Sequence, residues 1–301
     1  MEDLGRPRRR RPALILAGAL FAITVAGWAQ PVSISPRWEV NYPPAPNGRA
    51  GESTAILLDG HSLLVSVITQ GADAVKGTVK LGNRSVSAKL VGHDPVSRLA
   101  FFRAEGLTAP KPTIWLNEVG GNSSAGLMAV APSGTLKCRA NGWVKQVGGK
   151  ILPLALLRVN FEQSVPPPGS PITDTEGRIV AMVFQSSGSG NTGYAIPAEA
   201  VHRVRKDVCS GGKLVRGWLG LSLRAETQSP QVVRVLPGSP AAQVGIQPSD
   251  VIQNVAGRSV SDYADAANAF FYLIPGQPVQ LRLLRGAEQL EFTLTPTKPA
   301  E

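Results

Sequence analysis

The sequence predicts a mostly β protein made of two modules. The chain of 301 residues contains 32 glycines and 25 prolines, which is typical of short strands joined by many turns rather than of a helical bundle. Its length is roughly that of two domains. Short apolar runs alternate with glycine, asparagine and proline turn signals along most of the chain, and this rhythm predicts a barrel or a sandwich.

The composition excludes several classes of protein. Hydrophobic residues make up 43% of the chain and charged residues 17%, which excludes a disordered polymer and a multi-span membrane protein. The formal net charge is +10, and a cluster of arginines between residues 6 and 11 supplies part of it. The remaining positive charge is dispersed, without a run of Lys or Arg. We therefore expect no nucleic-acid partner.

The N-terminus has the pattern of an export signal. Residues 13–28 follow the arginine cluster and contain nothing more polar than Thr24. A positive region before an apolar block is typical of secretion, with the arginines held on the cytoplasmic side. The length of the block leaves two alternatives open for residues 1–30: a signal peptide cleaved near Ala29, or a membrane anchor. We expect an exported protein, either free or anchored in the membrane by residues 13–28.

The small number of cysteines and histidines, two and three, limits the chemistry that the chain can perform. Cys138 and Cys209 are consistent with an oxidising compartment, either as one disulfide or as two thiols. His61, His93 and His202 are too few and too scattered for a metal cage. We therefore expect no metal and no cofactor.

The first module is predicted over residues 50–208, after a proline-rich linker at 31–49. A change of apolar period predicts a surface helix at 198–208, which ends in the C-cap chemistry of residues 210–212. The predicted strands before it cover residues 55–58, 63–69, 75–81, 86–91, 126–130, 151–159 and 178–184.

The second module is predicted over residues 214–297. Such a small half-open barrel with two helices can add a guest strand at its edge. Its predicted elements are strands at 232–236, 250–255, 279–284 and 288–294 and helices at 241–244 and 262–273.

Several segments resemble a known family. The runs VRGWLGLSL at 215–223, VLPGSPAAQVGIQPSDVIQNVAGRSV at 235–260 and PGQPVQLRLLRG at 275–286 resemble the PDZ domain of HtrA/DegP-type proteases. Upstream, GNRSVSAKLVGHDPVSRLAFFRAEG at 82–106 and residues 177–208 are similar to the trypsin-like domain of that family. The resemblance covers residues 50–297 and implies a trypsin-like double β-barrel followed by a PDZ domain.

The resemblance also identifies the positions of the catalytic triad. It places Val67 at the histidine, Arg98 at the aspartate and Pro168 at the nucleophile. Acyl transfer of this type needs a hydroxyl, an imidazole and a carboxylate. Pro166 and Pro168 also lack the backbone N–H groups that would hold the oxyanion. We therefore predict that the chain is not an enzyme but a pseudoprotease, with no catalytic residues.

A displaced active site is the alternative, with Ser170 as nucleophile and His93 and Asp94 as its partners. Adjacent residues of a strand point to opposite faces of a sheet, which argues against the pairing of His93 with Asp94. On this argument Ser170 is a turn residue.

The PDZ-like module keeps the parts of a peptide groove. A loop rich in backbone N–H groups would capture a C-terminal carboxylate, a strand edge would pair with the peptide, and one helix face would line a side-chain pocket. The candidate residues are Arg216, Gly217, Trp218, Leu219, Gly220, Leu221, Leu223, Ala266, Phe270 and Leu273.

These features predict a protein that binds peptides or protein C-termini at the bacterial envelope, as a scaffold, adaptor or regulatory subunit. The alternatives are an active envelope serine endopeptidase with a displaced active site and a structural subunit of a membrane complex. The expected partners are protein or peptide C-termini, with a membrane-protein complex and a homo-oligomer left open.

Overall fold

The computed structural model describes residues 38–107, 114–116, 126–147, 149–188, 190–224 and 229–299. Strands predominate in these ranges, which confirms the predicted mostly β class. The predicted signal or anchor at residues 1–30 lies outside the described residues. Every helix found in the described ranges is too short or too polar to cross a bilayer.

Seven antiparallel strands form the first sheet, in the order β5-β4-β1-β2-β3-β7-β6. Successive residues of β3 alternate between two cores, since Val65 and Val67 pack on one face and Leu64 on the other. This is the period of two that a strand buried on both faces requires. The strands are β1 (Trp38–Tyr42), β2 (Gly51–Leu57), β3 (Leu63–Val67), β4 (Thr78–Leu81), β5 (Arg84–Val86), β6 (Ala88–His93) and β7 (Leu99–Ala104).

Strand β1 lies inside the segment that the sequence predicted as a linker. It pairs with both β2 and β4, and Trp38, Val40 and Tyr42 are buried. The linker prediction over residues 31–49 therefore differs from the structure at β1. Prolines on both sides concealed this short alternating run, whose pattern becomes clear only once its partner strands are known.

Six strands close the second barrel, in the order β10-β13-β12-β11-β8-β9. Helix α1 (Ala198–Gly211) follows it and extends three residues beyond the predicted end, to a left-handed C-cap at Gly212 with φ 76°. The strands are β8 (Leu127–Ala131), β9 (Gly134–Val147), β10 (Lys150–Phe161), β11 (Pro171–Thr173), β12 (Ile179–Ser186) and β13 (Thr192–Pro197).

The C-terminal module contains a two-stranded sheet, β14-β15, and a four-stranded sheet in the order β17-β16-β18-β19. The elements that the sequence predicted here agree with the structure to within about two residues. The module contains β14 (Leu221–Leu223), β15 (Val232–Val235), α2 (Pro240–Gln243), β16 (Val251–Val255), β17 (Arg258–Ser259), α3 (Tyr263–Phe271), β18 (Val279–Arg285) and β19 (Glu288–Leu294). Of these, the short strand β17 was not predicted.

One hydrophobic core joins the modules. It contains apolar residues of the first sheet, of the second barrel and of α1, together with Phe271 of α3. The C-terminal module has a second core of its own, which includes Leu219, Ala266 and Leu273. Because Phe271 belongs to the shared core, helix α3 is held between the C-terminal module and the rest of the protein.

Candidate functional site

Two glycines fix the path of the loop before β14. Gly220 has φ 77°, and a Cβ built there would lie 2.0 Å from Ser239 Cβ. A Cβ on Gly217 would lie 2.8 Å from Leu273 Cβ, and the Gly217 N–H donates to the Leu273 carbonyl at 3.1 Å. Glycine is therefore required at both positions, by φ and close approach at Gly220 and by close approach at Gly217.

The same loop presents backbone donors. Trp218 is anchored by reciprocal backbone hydrogen bonds with Thr297, at 2.8 and 3.0 Å. In the described part of the chain, the N–H groups of Leu219 and Gly220 have no acceptor. Backbone N–H groups left without partners are costly unless water or a ligand satisfies them, and adjacent N–H groups can form an anion-binding concavity. Arg216 is exposed at the start of this loop.

Strand β14 offers one edge to a guest. Leu221 and Leu223 pair with Val235 and Val232 of β15. On its other side, β14 has no partner strand among the described residues. Such an edge can accept an extended peptide by strand addition.

Helix α3 and Leu273, two residues after its end, carry the apolar side chains predicted for the groove. Ala266 and Leu273 are buried in the core of the C-terminal module, whereas Phe270 is half-buried against it. Helical spacing did not predict the depth of each side chain, and Phe270 is the accessible member of the predicted trio. Tyr263 and Ala267 are also half-buried and lie at i, i+4 and i+7 with Phe270. These two residues were not predicted, although the same spacing, shifted along the helix, contains them.

A buried arginine of α1 supports this region. Arg203 is 6% exposed, and its Nη2 donates to the carbonyls of Val215 at 2.8 Å and Leu273 at 2.9 Å. Its Nη1 donates to Asp207 Oδ2 at 2.7 Å. Arg203 therefore ties the segment that enters the loop to the residue that follows α3.

The hairpin of β9 and β10 holds the other side of α3. Lys145 Nζ lies 2.9 Å from Asp262 Oδ2 and 2.8 Å from Asp265 Oδ1. Burial lowers the pKa of Lys145, but these two carboxylates outweigh burial and raise it. Asn268 Oδ1 accepts from the Ala155 N–H at 2.8 Å. These bonds fix the helix of the candidate groove on the second barrel.

The cleft between the barrels contains the three positions aligned with the triad. Val67 is fully buried in the shared core, and its N–H lies 3.3 Å from Ser53 Oγ. The carbonyl of Pro168 accepts from Ser53 Oγ at 2.9 Å and from the Thr54 N–H at 2.7 Å. Ser66 Oγ donates to Ser53 Oγ at 2.8 Å. A network of hydroxyls on β2 and β3 therefore fixes the loop before β11.

In the alternative trio of Ser170, His93 and Asp94, the serine and the aspartate form hydrogen bonds with residues outside the trio. Ser170 is fully buried, and its Oγ lies 3.4 Å from Thr54 Oγ1. Asp94 Oδ2 accepts from the N–H and the hydroxyl of Ser97, both at 2.7 Å. The hydrogen bonds of the described residues thus join Ser170 to Thr54 and Asp94 to Ser97 rather than to each other.

Arg98 projects into the cleft from an unusual backbone. Its φ is 56°, in the left-handed region that few residues other than glycine adopt. The guanidinium carbon lies 3.7 Å from the centroid of the Phe184 ring, and Nη2 donates to Gln185 Oε1 at 2.7 Å. Burial lowers the pKa of Arg98 to about 10.

Both cysteines are free thiols in the structure. Cys138 is buried in the second barrel, where burial raises its pKa to about 12. Cys209 is half-buried on α1, and burial raises its pKa as well. Because a thiol reacts as its thiolate, these shifts favour unreactive cysteines.

The comparisons with known proteins agree with this architecture. The PDZ domain family matches residues 217–295. A probable periplasmic serine endoprotease, DegP-like, of Chlamydia muridarum is 25% identical over 270 residues, which cover 81% of this chain and 53% of the relative. The putative serine protease HhoB of Synechocystis sp. is 25% identical over 289 residues, which cover 84% of this chain and 68% of the relative. The chain spans about half the length of the DegP-like relatives that it matches.

The solved structures show the same fold. The HtrA-type protease AlgW with tripeptide has a TM-score of 0.64 at 20% identity, covering 90% of this chain and 96% of the other. The serine endoprotease from Yersinia pestis has a TM-score of 0.55 at 18% identity, covering 89% and 96%.

The fold is therefore a trypsin-like HtrA fold with a C-terminal PDZ domain. The chain is homologous to the DegP/HtrA serine proteases.

The prediction that the chain is not an enzyme is wrong. The curated relatives are named serine endoproteases and a serine protease, the similar solved structures are HtrA-type proteases, and nothing in the described structure positively shows an inactive protein. The prediction rested on Val67, Arg98 and Pro168 at three aligned positions. A catalytic constellation is recognised by the geometry and roles of its groups rather than by sequence position.

Proposed function

We propose that this chain is a periplasmic HtrA-like protein whose PDZ domain binds the C-termini of peptides or proteins, and that it acts as a scaffold, adaptor or regulatory subunit at the bacterial envelope. The observation that carries the proposal is the loop before β14. Its Leu219 and Gly220 N–H groups have no acceptor in the described part of the chain, so a carboxylate can take that place. The names of the DegP-like relatives support the periplasmic location.

The groove has the three parts that strand addition to a PDZ domain requires. The free N–H groups bind the terminal carboxylate, the open edge of β14 pairs with the peptide backbone, and Phe270 contacts the terminal side chain. Burial of one apolar side chain contributes about 1.5–3 kcal/mol. With the carboxylate this supports an affinity of roughly micromolar strength, so a stable assembly needs a second contact or a shared membrane.

A shared membrane is part of the proposal. Residues 13–28 are either an anchor in the inner membrane or part of a cleaved signal. The two states are distinguished in a membrane pellet washed with carbonate. Retention of the full chain supports the anchor, whereas release of a form that begins near Gln30 supports the signal. A cytoplasmic location of the full chain contradicts both.

Peptide titrations of the full chain test the groove. We expect a peptide with an apolar C-terminal residue and a free carboxylate to bind, and its C-terminal amide to bind much more weakly. Phe270→Asp should weaken binding at least about tenfold. Val233→Asp is the matched control, because Val233 is 47% exposed on β15, which covers the opposite edge of β14. Equal affinity of wild type and Phe270→Asp would contradict the proposal.

Serine endopeptidase activity is the second candidate function, and the names of the curated relatives favour it. This function predicts that the full-length chain degrades an unfolded substrate such as casein. A serine-directed phosphonate should abolish that reaction. Ser170→Ala then tests the serine that would be the nucleophile of a displaced active site. Casein left intact by the full-length chain would contradict this second function without affecting the first.

A further inference from the structure

A cavity of about 380 Å³ lies in the cleft between the barrels. We call it the Arg98 cavity. Its polar side is formed by Gln70, Arg98 and Gln185, and Val144, Leu152 and Tyr194 belong to its apolar walls. Its volume is within the range of roughly 300–1,000 Å³ that is usual for sites of small organic ligands. Such a site is typically apolar with a few placed polar groups, which is the arrangement observed here.

The cation of this cavity is held in place. Gln185 Oε1 and the ring of Phe184 position the guanidinium from two sides. The backbone at Arg98 is also constrained, because its carbonyl accepts from the Ile68 N–H at 2.7 Å. The charge therefore has a defined position before any ligand arrives, which lowers the ordering cost of binding.

The same cation lacks a counter-ion. Among the described residues, no carboxylate lies within salt-bridge distance of Arg98. Its Nε is buried and has no hydrogen-bond partner in that part of the chain. Burial lowers the pKa of Arg98 to about 10, which still leaves the guanidinium charged at neutral pH. A partly buried, unpaired charge is unfavourable for the empty protein, and an anion in the cavity would relieve that cost.

We propose that the Arg98 cavity binds a small organic monocarboxylate with an apolar chain, with the carboxylate on the Arg98 guanidinium and the chain against Val144, Leu152 and Tyr194. Guanidinium and carboxylate are matched in charge and geometry. The apolar walls select against strongly hydrated anions such as inorganic phosphate, because these would lose their water without replacement. This site is separate from the PDZ groove and does not rest on the proposed function.

Two sources present this chemistry: a free aliphatic acid and the C-terminal residue of a peptide. The first probe is octanoate, titrated into the full chain by calorimetry, with octan-1-ol as the uncharged probe and octylammonium as the cationic one. The second is a peptide that ends in valine with a free carboxylate. It is titrated into Phe270→Asp, in which the PDZ pocket is disabled.

The variants separate charge from packing. Arg98→Gln removes the charge but keeps a polar side chain of similar shape. Arg158→Gln is its matched control, because Arg158 is exposed on β10 and does not line the cavity. Leu152→Glu keeps Arg98 but introduces a carboxylate into the apolar wall. The far-ultraviolet circular dichroism and the thermal unfolding midpoint of each variant serve as the readout of correct folding.

We expect octanoate to bind wild type, Phe270→Asp and Arg158→Gln equally, and to lose at least about tenfold in affinity in Arg98→Gln and Leu152→Glu. Octan-1-ol and octylammonium should bind more weakly than octanoate. If only the peptide binds in an Arg98-dependent manner, the carboxylate site is supported and its source is a peptide C-terminus. If Arg98→Gln leaves the affinity of both probes unchanged, or if neither probe binds, the proposal is overturned.

Discussion

Two arginines of this protein lie in different electrostatic surroundings. Arg203, behind the PDZ loop, binds one carboxylate and two backbone carbonyls. Arg98, in the cleft, binds one amide oxygen and stacks on a ring. Buried charges are favourable only when they are paired and hydrogen-bonded. The difference indicates that Arg203 stabilises the fold, whereas Arg98 retains binding capacity that the fold does not use.

The same contrast holds for the two regions as a whole. In the proposed groove, the PDZ loop would bind a carboxylate through backbone N–H groups, and glycines fix the path of that loop. In the proposed cavity, a ligand would instead be bound by side chains that come from the first sheet and from the second barrel. Substitution of a residue that supports the PDZ region should therefore lower the free energy of unfolding. Substitution of Arg98 should weaken ligand binding and leave the free energy of unfolding nearly unchanged.

The largest effect is expected for Arg203→Met. It removes the charged partner of Asp207, which keeps only the Val215 N–H, and one donor from each of the Val215 and Leu273 carbonyls. Breaking a buried pair in this way costs about 3–5 kcal/mol in the free energy of unfolding. Urea denaturation measures that loss. Lys206→Met on the exposed face of the same helix is the control and should remain within about 0.5 kcal/mol of wild type. Equal stability of the two variants would contradict the supporting role of Arg203.

A second test uses the paired charges of the PDZ domain. Burial raises the pKa of Asp250, but hydrogen bonds from Arg285 and from the Gln247 N–H outweigh burial and lower it. A lowered pKa stabilises the fold above about pH 4, and this stabilisation is lost as the pH falls through the folded-state value.

This effect is measured as the change in the thermal unfolding midpoint when the pH is lowered. Asp250→Asn should lose about 1.5–3 kcal/mol at neutral pH and should show a flatter dependence on acid than wild type. Glu291→Gln removes an exposed pair with Arg282 and should change stability by less than about 1 kcal/mol. An acid profile of Asp250→Asn identical to that of wild type would show that this pair does not govern the pH dependence.

A third test, with a smaller expected effect, measures the close approach of Gly220 to Ser239. Gly220→Ala and Gly238→Ala both place alanine at a φ above 70°, so both pay the left-handed cost of roughly 1–2 kcal/mol. Only at Gly220 would the new Cβ meet Ser239, whereas the space around Gly238 is open. The clash should add about 1–3 kcal/mol and abolish peptide binding. If the two variants are equally stable, the close approach does not constrain the loop.

The smallest effect on stability is expected at Arg98. Arg98→Met removes an unpaired charge from a partly buried position, so the lost stacking and hydrogen bond are offset by the relieved desolvation. The free energy of unfolding should change by less than about 1 kcal/mol, as in the exposed control Arg158→Met. A loss of more than about 3 kcal/mol would show that Arg98 stabilises the fold as Arg203 does, and the contrast between the two would fail.

The sequence predicted much of the fold because its signals are local. Glycine and proline turns bounded the strands of the C-terminal module, and the period of α3 was visible in its apolar residues. Strand β1 was missed because three alternating residues between prolines are a weak signal without their partner strands. The depth of Ala266 and Leu273 was missed because helical spacing gives a direction but not the surface that lies there.

The sequence by itself predicted the mostly β class and the loop glycines of the candidate PDZ groove, since glycine is the residue that best tolerates a positive φ or a close approach of the backbone. Tertiary structure alone decided what surrounds each charge. Helical spacing already indicates that Arg203 meets Asp207 four residues on, but no spacing shows that it also meets the Leu273 carbonyl. Nor does any spacing show that Arg98 meets Gln185, 87 residues away, and no carboxylate among the described residues. The energy of a charge depends on its burial and its partners in space, and both of these arise only when the modules pack.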